Sequence, residues 1–416
     1  MPEQHTFKIL TLNAISAHGL NRFPADHYRI GHDIEEPDAI LVRSHNMLNS
    51  TIPASVKAIG RAGAGTNNIP VDAMNARGVP VFNTPGANAN AVKELVLASL
   101  FLAARNLVPA LEFAGSLQGD DAALSKQAED GKKRFSGIEL PGRTLGVIGL
   151  GEIGRLVANS AIRLGMKVIG FDPKITVESA WSLSAEVKKA NSMEDLLRHS
   201  EFVSVHVPLL DSTRHLINDN SIQLMKHHAI LLNFSRAAIV DEDAILRAIA
   251  ANKIKTYVSD FPSQKLQHQK GVITLPHLGA STTEAQENVA LQVAEQMSDY
   301  LLTGAVQNAL NMPSVTAEEA AVMGPWVKLA GHLGAFAGQM TDEPIKAINI
   351  LYDGSVSHMN LAALNCAAIA GIMKATNPDV NMVSAPVIAK ERGIQIATTR
   401  QEKGGVFDGY MKLTVV

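Results

Sequence analysis

The run Leu145-Gly146-Val147-Ile148-Gly149-Leu150-Gly151-Glu152-Ile153-Gly154-Arg155 constrains this chain more than any other stretch. An apolar segment reads as a buried strand, and Gly149, Gly151 and Gly154 then open a helix. In a dinucleotide site the first glycine permits a tight turn, and the second lets the backbone approach a pyrophosphate. The third lets helix and strand pack closely, while the helix N-terminus turns free N–H groups and positive dipole toward the phosphates. Taken alone, the pattern is only a turn. Its surroundings strengthen it: a helical stretch ends at Gly165, and a second apolar run, Lys167–Phe171, leads into Asp172. A carboxylate there accepts from ribose hydroxyls and repels a 2′-phosphate, so the reading is NAD rather than NADP. Glu152 and Ile153, inside the turn, join the glycines as cofactor contacts.

Strand and helix alternate on both sides of this turn. Residues 7–12, 39–42, 56–62 and 79–82 read as short buried strands, and Val71–Arg77 as a helix that Gly78 ends. A long apolar helix over about 90–105 carries the chain into a second unit, and the polar segment 115–133 reads as surface structure or a subunit contact. Strands follow at 202–207, 229–234, 256–259 and 272–275, with helices at 192–197 and 241–251. Ser281-Thr282-Thr283-Glu284 reads as a capping box opening a helix to about 302. Beyond a linker at 311–313, a helix near 316–320 should break or restart at Pro325. Strands 345–352, 394–399 and 410–416 and helices 361–374 and 385–392 complete the chain.

The fold class is therefore α/β: two Rossmann-like or flavodoxin-like lobes with a cleft between them, plus a small C-terminal α+β module. The expected domains are 1–90 with 285–310 for substrate, 91–284 for NAD, and 311–416 as the third module.

At 416 residues, two or three domains are natural, and 46% hydrophobic with 19% charged residues describes a globular chain. A net charge of −3 provides no field for nucleic acid or an anionic membrane, so neither is an expected partner. One cysteine, Cys366, excludes an internal disulfide framework. Residues 1–5 lack the blocks of a secretory leader, and no apolar stretch is long enough to span a bilayer. The reading is a soluble cytoplasmic protein with no metal.

Two strand ends in the second lobe carry chemistry: Asn233-Phe234-Ser235-Arg236 and Pro276-His277-Leu278-Gly279-Ala280-Ser281. An imidazole can take the proton of a secondary alcohol as hydride leaves its carbon. A guanidinium can hold a carboxylate in a fork and polarise a neighbouring carbonyl. Further motifs are Val42-Arg43-Ser44, Arg61-Ala62-Gly63-Ala64-Gly65-Thr66-Asn67-Asn68, Phe82-Asn83-Thr84-Pro85-Gly86-Ala87-Asn88-Ala89-Asn90 and His206-Val207-Pro208.

Through these motifs, over residues 1–310, the chain resembles the D-specific 2-hydroxyacid dehydrogenase family, and most closely its branch that oxidises D-3-phosphoglycerate for serine synthesis. The resemblance implies NAD as cofactor, a phosphorylated 2-hydroxy acid as substrate, and a homodimer or homotetramer. It puts the catalytic arginine at Arg236 and the acid/base histidine at His277. Cofactor contacts fall on His206, Pro208, Phe234, Ser235, Gly279 and Ala280, with Asp260 as the nicotinamide carboxamide partner. Ala62, Gly63 and Ala64 should offer backbone N–H groups to the substrate carboxylate, with Ser44 and Asn88 nearby. Arg43 and Arg61 are the candidate phosphate cations, and Lys132, in the basic run 132–134, should reach a partner subunit's site.

One position departs from the family pattern. Gln264 stands where relatives carry a glutamate bonded to the catalytic histidine, and an amide can fix a tautomer but supplies no charge. Three readings stay open: Gln264 orients His277, Asp260 or another acid substitutes, or catalysis is weak. The third module resembles the opening part of a substrate-binding regulatory domain in longer family members, and no serine-binding ACT domain is expected after it. Lys390 and Arg392 read as a solvated helix face. Two other functions remain open: reduction of another 2-oxo acid (glyoxylate, hydroxypyruvate or 2-oxoglutarate), or NAD sensing as in co-repressors of this fold.

Overall fold

Five short strands form one wholly parallel sheet: β1 (Phe7–Leu12), β2 (Tyr28–Gly31), β3 (Ala39–Val42), β4 (Ala58–Arg61) and β5 (Val81–Phe82). Their order is β2-β1-β3-β4-β5, the flavodoxin-like arrangement. All four residues of β3, Ala-Ile-Leu-Val, are buried, as a strand covered on both faces requires. Gly78, at φ 69°, ends the helix Val71–Arg77 in the left-handed conformation that glycine adopts without penalty. In this computed structural model residues 6–315, 317–341, 343–402 and 407–416 are described. The leader reading at residues 1–5 and Thr316 of the expected helix lie outside them.

A second parallel sheet has seven strands: β6 (Thr144–Ile148), β7 (Lys167–Phe171), β8 (Lys188–Lys189), β9 (Phe202–Val205), β10 (Ala229–Asn233), β11 (Ile254–Ser259) and β12 (Val272–Thr274). Its order, β12-β11-β10-β9-β6-β7-β8, is the doubly wound dinucleotide order with one strand added at an edge. Every residue of β9 and β10 is buried. Two of the helices are capped by side chains as their sequences dictate: Ser192 accepts from the Asp195 N–H at 3.2 Å, and Asp241 from the Asp243 and Ala244 N–H groups.

The third sheet is small and mixed, in the order β14-β13-β15, from β13 (Ala347–Gly354), β14 (Gln395–Gln401) and β15 (Gly409–Val415). Beneath it the helices Ala317–Gln339 and Leu361–Lys374 meet backbone to backbone. A Cβ on Gly334 would lie 2.1 Å from the Ala368 carbonyl oxygen, and one on Gly338 2.2 Å from that of Ile372. Chain contacts divide the molecule into two units, Met1–Ala87 with Gln286–Val416, and Asn88–Ala285. Among the described residues no single helix is long and apolar enough to cross a membrane.

Several local expectations are corrected. Pro325 does not interrupt its helix, which runs from Ala317 to Gln339 with the proline inside. One missing N–H is tolerated where packing against a neighbouring helix holds the rest. Thr282, not Ser281, caps the long helix Thr283–Thr303, accepting from the Ala285 N–H at 3.1 Å, so Glu284 is not in the box position. The segment 115–133 contains a helix, Asp121–Gly131, and a further helix, Leu107–Ser116, precedes it. Strand β5 starts only at Val81, because Pro80 has no N–H to donate to a ladder.

Candidate active site

Most of the second-unit candidates belong to one rim. In the parallel seven-stranded sheet the carboxyl ends of β6, β7, β9, β10, β11 and β12 lead directly into Gly149, Asp172, His206, Phe234–Arg236, Asp260 and His277. Ligands of open α/β sheets bind at this edge, and the strand order reverses between β6 and β9.

The three glycines of the turn differ in what they face. Gly149 has φ 88°, and its missing Cβ would fall 2.4 Å from the His206 carbonyl oxygen, so the turn passes the neighbouring strand end with no side chain between. Gly154 leaves even less room, at 1.9 Å from the Gly149 carbonyl oxygen, which fixes the helix Glu152–Arg163 against its strand. Gly151 is the opposite case: its Cβ would meet nothing within 4 Å. Open space therefore lies at a helix N-terminus whose first N–H groups have no intrahelical acceptor. Nearby, Asp172 accepts from the Leu150 N–H at 2.8 Å and from the Lys174 N–H at 2.9 Å. Glu152 is held by Arg155 at 2.8 Å, and the buried Nε of Arg155 has no partner. A cradle of free donors, an unfilled volume and a fixed carboxylate suit a dinucleotide's diphosphate and ribose.

His206 is half-buried, yet its ring is enclosed. Nε2 shares a hydrogen bond with Ser204 Oγ at 2.8 Å, and the sealed Nδ1 has no partner. Loss of hydration pushes its pKa down to about 3, so the ring is neutral.

Asn233 shapes the turn that carries Arg236. Its side chain donates to the Arg236 carbonyl at 3.0 Å and accepts from the Ser235 N–H at 3.1 Å. Ser235 Oγ is tied to the Val205 carbonyl at 2.6 Å, and Phe234 and Ser235 are buried. The Arg236 guanidinium donates to the Ser235 carbonyl at 2.6 Å, and burial moves its pKa below the ordinary arginine value.

Asp260 does something the sequence did not reveal. Its two carboxylate oxygens accept from the Leu278 and Gly279 N–H groups at 2.7 and 2.8 Å, clamping the loop that bears His277. His277 itself has φ 57°, a left-handed conformation costing roughly 1–2 kcal/mol for a residue with a Cβ, so the loop needs such a clamp. Burial raises the Asp260 pKa, against the opposing pull of those two N–H groups and of His277. Asp260 is thus an acid close to His277, but one whose oxygens each already bind a backbone N–H. Gly279 is buried beside it and Ala280 is half-buried, while Pro208 is exposed.

Among the described residues Gln264 makes no hydrogen bond to His277 or to any other group, and its side chain is exposed. The flanking residues explain why: Ser263 Oγ donates to Glu242 at 3.0 Å and Lys265 pairs with Asp243 at 2.7 Å, which draws the segment toward the helix Glu242–Ala250. The imidazole meets Phe261 instead, edge to face, with ring centroids 5.3 Å apart.

In the first unit, the loop after β4 corrects another expectation. The Ala62 N–H is already donated to the Val42 carbonyl at 2.8 Å, continuing the β3–β4 ladder, and the Gly63 N–H closes a three-residue turn on the Arg61 carbonyl at 2.8 Å. Of the three, only the Ala64 N–H has no acceptor among the described residues. Gly63 has φ 142°, and the Arg61 side chain lies across it where a Cβ would sit. Asn13 accepts from the Ser44 and His45 N–H groups, and Asn68 donates to the Arg43 carbonyl at 3.3 Å, fixing the loop on which half-exposed Arg43 stands. Asn13 was not singled out from the sequence, and Asn68 stood there only as the end of a motif. In the second unit, Asn88 precedes the helix Ala89–Ala104 without a side-chain capping bond. Lys132 pairs with Glu129 within its own chain at 2.5 Å, and Arg134 lies over the Phe113 ring at 4.6 Å.

Residues 110–280 match the NAD-binding domain of the D-isomer specific 2-hydroxyacid dehydrogenases, and residues 322–416 match the D-3-phosphoglycerate dehydrogenase intervening domain. The chain is 35% identical to a D-3-phosphoglycerate dehydrogenase of Methanocaldococcus jannaschii, over 89% of this chain and 71% of that protein. It is 35% identical to another from Synechocystis sp., over 91% and 68%. Among solved structures, NAD+-bound 3-phosphoglycerate dehydrogenase of Entamoeba histolytica shares the fold, with a TM-score of 0.57 and 24% identity over 74% of this chain and 99% of that one.

Proposed function

Because the chain belongs to the D-3-phosphoglycerate dehydrogenases of the D-isomer specific 2-hydroxyacid dehydrogenase family, we propose that it oxidises D-3-phosphoglycerate to 3-phosphohydroxypyruvate. This is the reaction that would open serine synthesis. NAD is the cofactor of this family's binding domain, and when bound it supplies the hydride acceptor. The free N–H groups of the helix Glu152–Arg163 hold its diphosphate, and Asp172 holds its adenosine ribose. His277 takes the hydroxyl proton through its imidazole, and Asp260 fixes the strained loop that aims it. Arg236 binds the carboxylate and polarises the forming carbonyl. The Ala64 N–H adds a donor for the carboxylate, and Arg43 with Arg61 supplies cations for the phosphate. The protein works in the cytoplasm as a homo-oligomer.

The observation that carries the reading is the shared rim: imidazole, guanidinium and glycine cradle all leave the carboxyl edge of one parallel sheet. Appearance of NADH absorbance on mixing with NAD and 3-phosphoglycerate tests it, with lactate, glycerate and 2-hydroxyglutarate as unphosphorylated controls. Preference for the phosphorylated acid is expected, and Arg236→Ala should lower kcat/KM on the order of 100-fold. Equal or better turnover of an unphosphorylated acid would overturn the substrate, and no turnover of any would overturn the chemistry.

A further inference from the structure

Two polar side chains are sealed inside the second unit. Asn233, the last residue of β10, is 0% exposed, and Tyr257, on β11, is 1% exposed. The tyrosine ring belongs to an apolar cluster with Leu231, Ile245 and Leu266, whose side chains offer its hydroxyl nothing. A buried tyrosine keeps its O–H only where a polar partner is within reach.

Strand register supplies that partner. β10 and β11 pair in parallel with Leu231 opposite Tyr257 and Asn233 opposite Ser259, so Asn233, Tyr257 and Ser259 share one face. The Asn233 amide nitrogen carries two protons. One goes to the Arg236 carbonyl at 3.0 Å and the other to the Tyr257 hydroxyl at 3.3 Å. The amide oxygen takes the Ser235 N–H at 3.1 Å. Without the hydroxyl, one N–H of this amide would be left buried and unpaired, and the amide would be free to turn away from Arg236. Burial pushes the Tyr257 pKa up, with Ser259 and Asn233 pulling the other way, so the group stays a neutral hydroxyl. The Arg236 guanidinium in turn donates to the Ser235 carbonyl at 2.6 Å, so its direction depends on the backbone that Asn233 holds.

We propose that Tyr257 is a positioning residue for Arg236: its hydroxyl locks the Asn233 amide, and through it the turn that presents the guanidinium to the substrate carboxylate. The inference deepens the function proposed above and rests on it for the carboxylate.

Tyr257→Phe deletes one oxygen and leaves the ring in its apolar layer. With NAD and 3-phosphoglycerate, kcat/KM should fall about tenfold, chiefly as a higher KM, since the carboxylate is held in ground and transition states alike. The Kd for NAD, by calorimetry, should stay within about twofold of the parent. In an Asn233→Ala background the same substitution should lower kcat/KM no further. Amide hydrogen exchange of peptides covering 234–240 should quicken about tenfold in Tyr257→Phe, while peptides covering β6 exchange as in the parent. The proposal is overturned if the variant keeps either the parent's kcat/KM or its exchange at 234–240. It is also overturned if NAD affinity falls by the same factor as kcat/KM, or if the effects of the two substitutions multiply. A parent that turns over no phosphorylated acid would sink the proposed function instead, and the exchange comparison would then decide the role of Tyr257 by itself.

Discussion

Replacing His206 by glutamine removes a titratable ring from the dinucleotide rim while keeping a hydrogen-bonding group within reach of Ser204. In the folded protein the ring's pKa is down to about 3, against an ordinary 6.5 for an unfolded chain. A histidine held neutral in the fold makes the unfolded state the stronger proton binder below pH 6.5. Its contribution is therefore fully present above pH 6.5 and is lost as pH falls toward about 3, where the loss levels off. Between pH 7 and pH 5 the loss should reach about 2 kcal/mol, at roughly 1.4 kcal/mol per pH unit. Because pH 5 lies well above the folded value, this magnitude rests on the unfolded pKa and hardly on the depth of the shift. Other groups titrate in the same range, so the quantity to measure is a double difference, parent minus variant at pH 7 and again at pH 5. Amide hydrogen exchange of peptides covering β9 and β10 gives the opening free energy of this unit alone, without assuming that both units unfold together. A double difference of about 2 kcal/mol is expected, with the parent losing more. A value within about 0.5 kcal/mol of zero would refute the enclosed, neutral ring.

Further consequences can be checked in the same way. Gly154→Ala puts a methyl 1.9 Å from the Gly149 carbonyl oxygen, so the helix must withdraw from its strand. A stability loss of about 1–3 kcal/mol and weaker NAD binding by calorimetry are expected, and unchanged affinity would show that the helix position does not matter. Asp260→Ala unties the Leu278 and Gly279 N–H groups, so kcat should fall far more than NAD affinity; equal losses in both would point to general unfolding. The Asp260 pKa is raised in the fold, so its ionisation opposes stability above the carboxylate range. The parent should accordingly lose less stability than Asp260→Ala as pH falls through that range, measured by urea unfolding. Gln264→Glu should leave kcat within about twofold at pH 7, because that side chain is exposed and makes no hydrogen bond to the imidazole. A larger change would mean that the segment 263–265 moves onto His277 during turnover.

What could be read from the sequence followed the strength of the local signal. β1, β3 and β7 and the helices Val71–Arg77 and Leu361–Lys374 fall where their apolar runs and end signals put them, because burial and capping leave each segment few alternatives. β2 escaped notice, being a four-residue strand with only Tyr28 buried. The helix Leu107–Ser116 buries none of its residues and Asp121–Gly131 only a glycine, so neither carries an inward-facing stripe. That Gly149, Asp172, Arg236 and His277 follow the carboxyl ends of strands was visible, because each comes shortly after an apolar run. The clamp by Asp260 was not, since it joins side chain to backbone across two loops and leaves no periodic trace. The exposure of Gln264 was not legible either: its place in the chain follows from the sequence, while the ties of Ser263 and Lys265 to a helix are tertiary contacts.

The ladder that pairs Asn233 with Ser259 and Ser259 with Thr274 also sets the spacing of the chemistry beyond it. Guanidinium and imidazole follow β10 and β12, the two strands that flank β11, so their starting points are set by main-chain pairing and need no direct bond between the two side chains. Loops above the rungs can then lengthen or change composition while the span between imidazole and guanidinium stays the same. A slip of one strand by a single residue, by contrast, would misplace a reactive group even with every side chain intact.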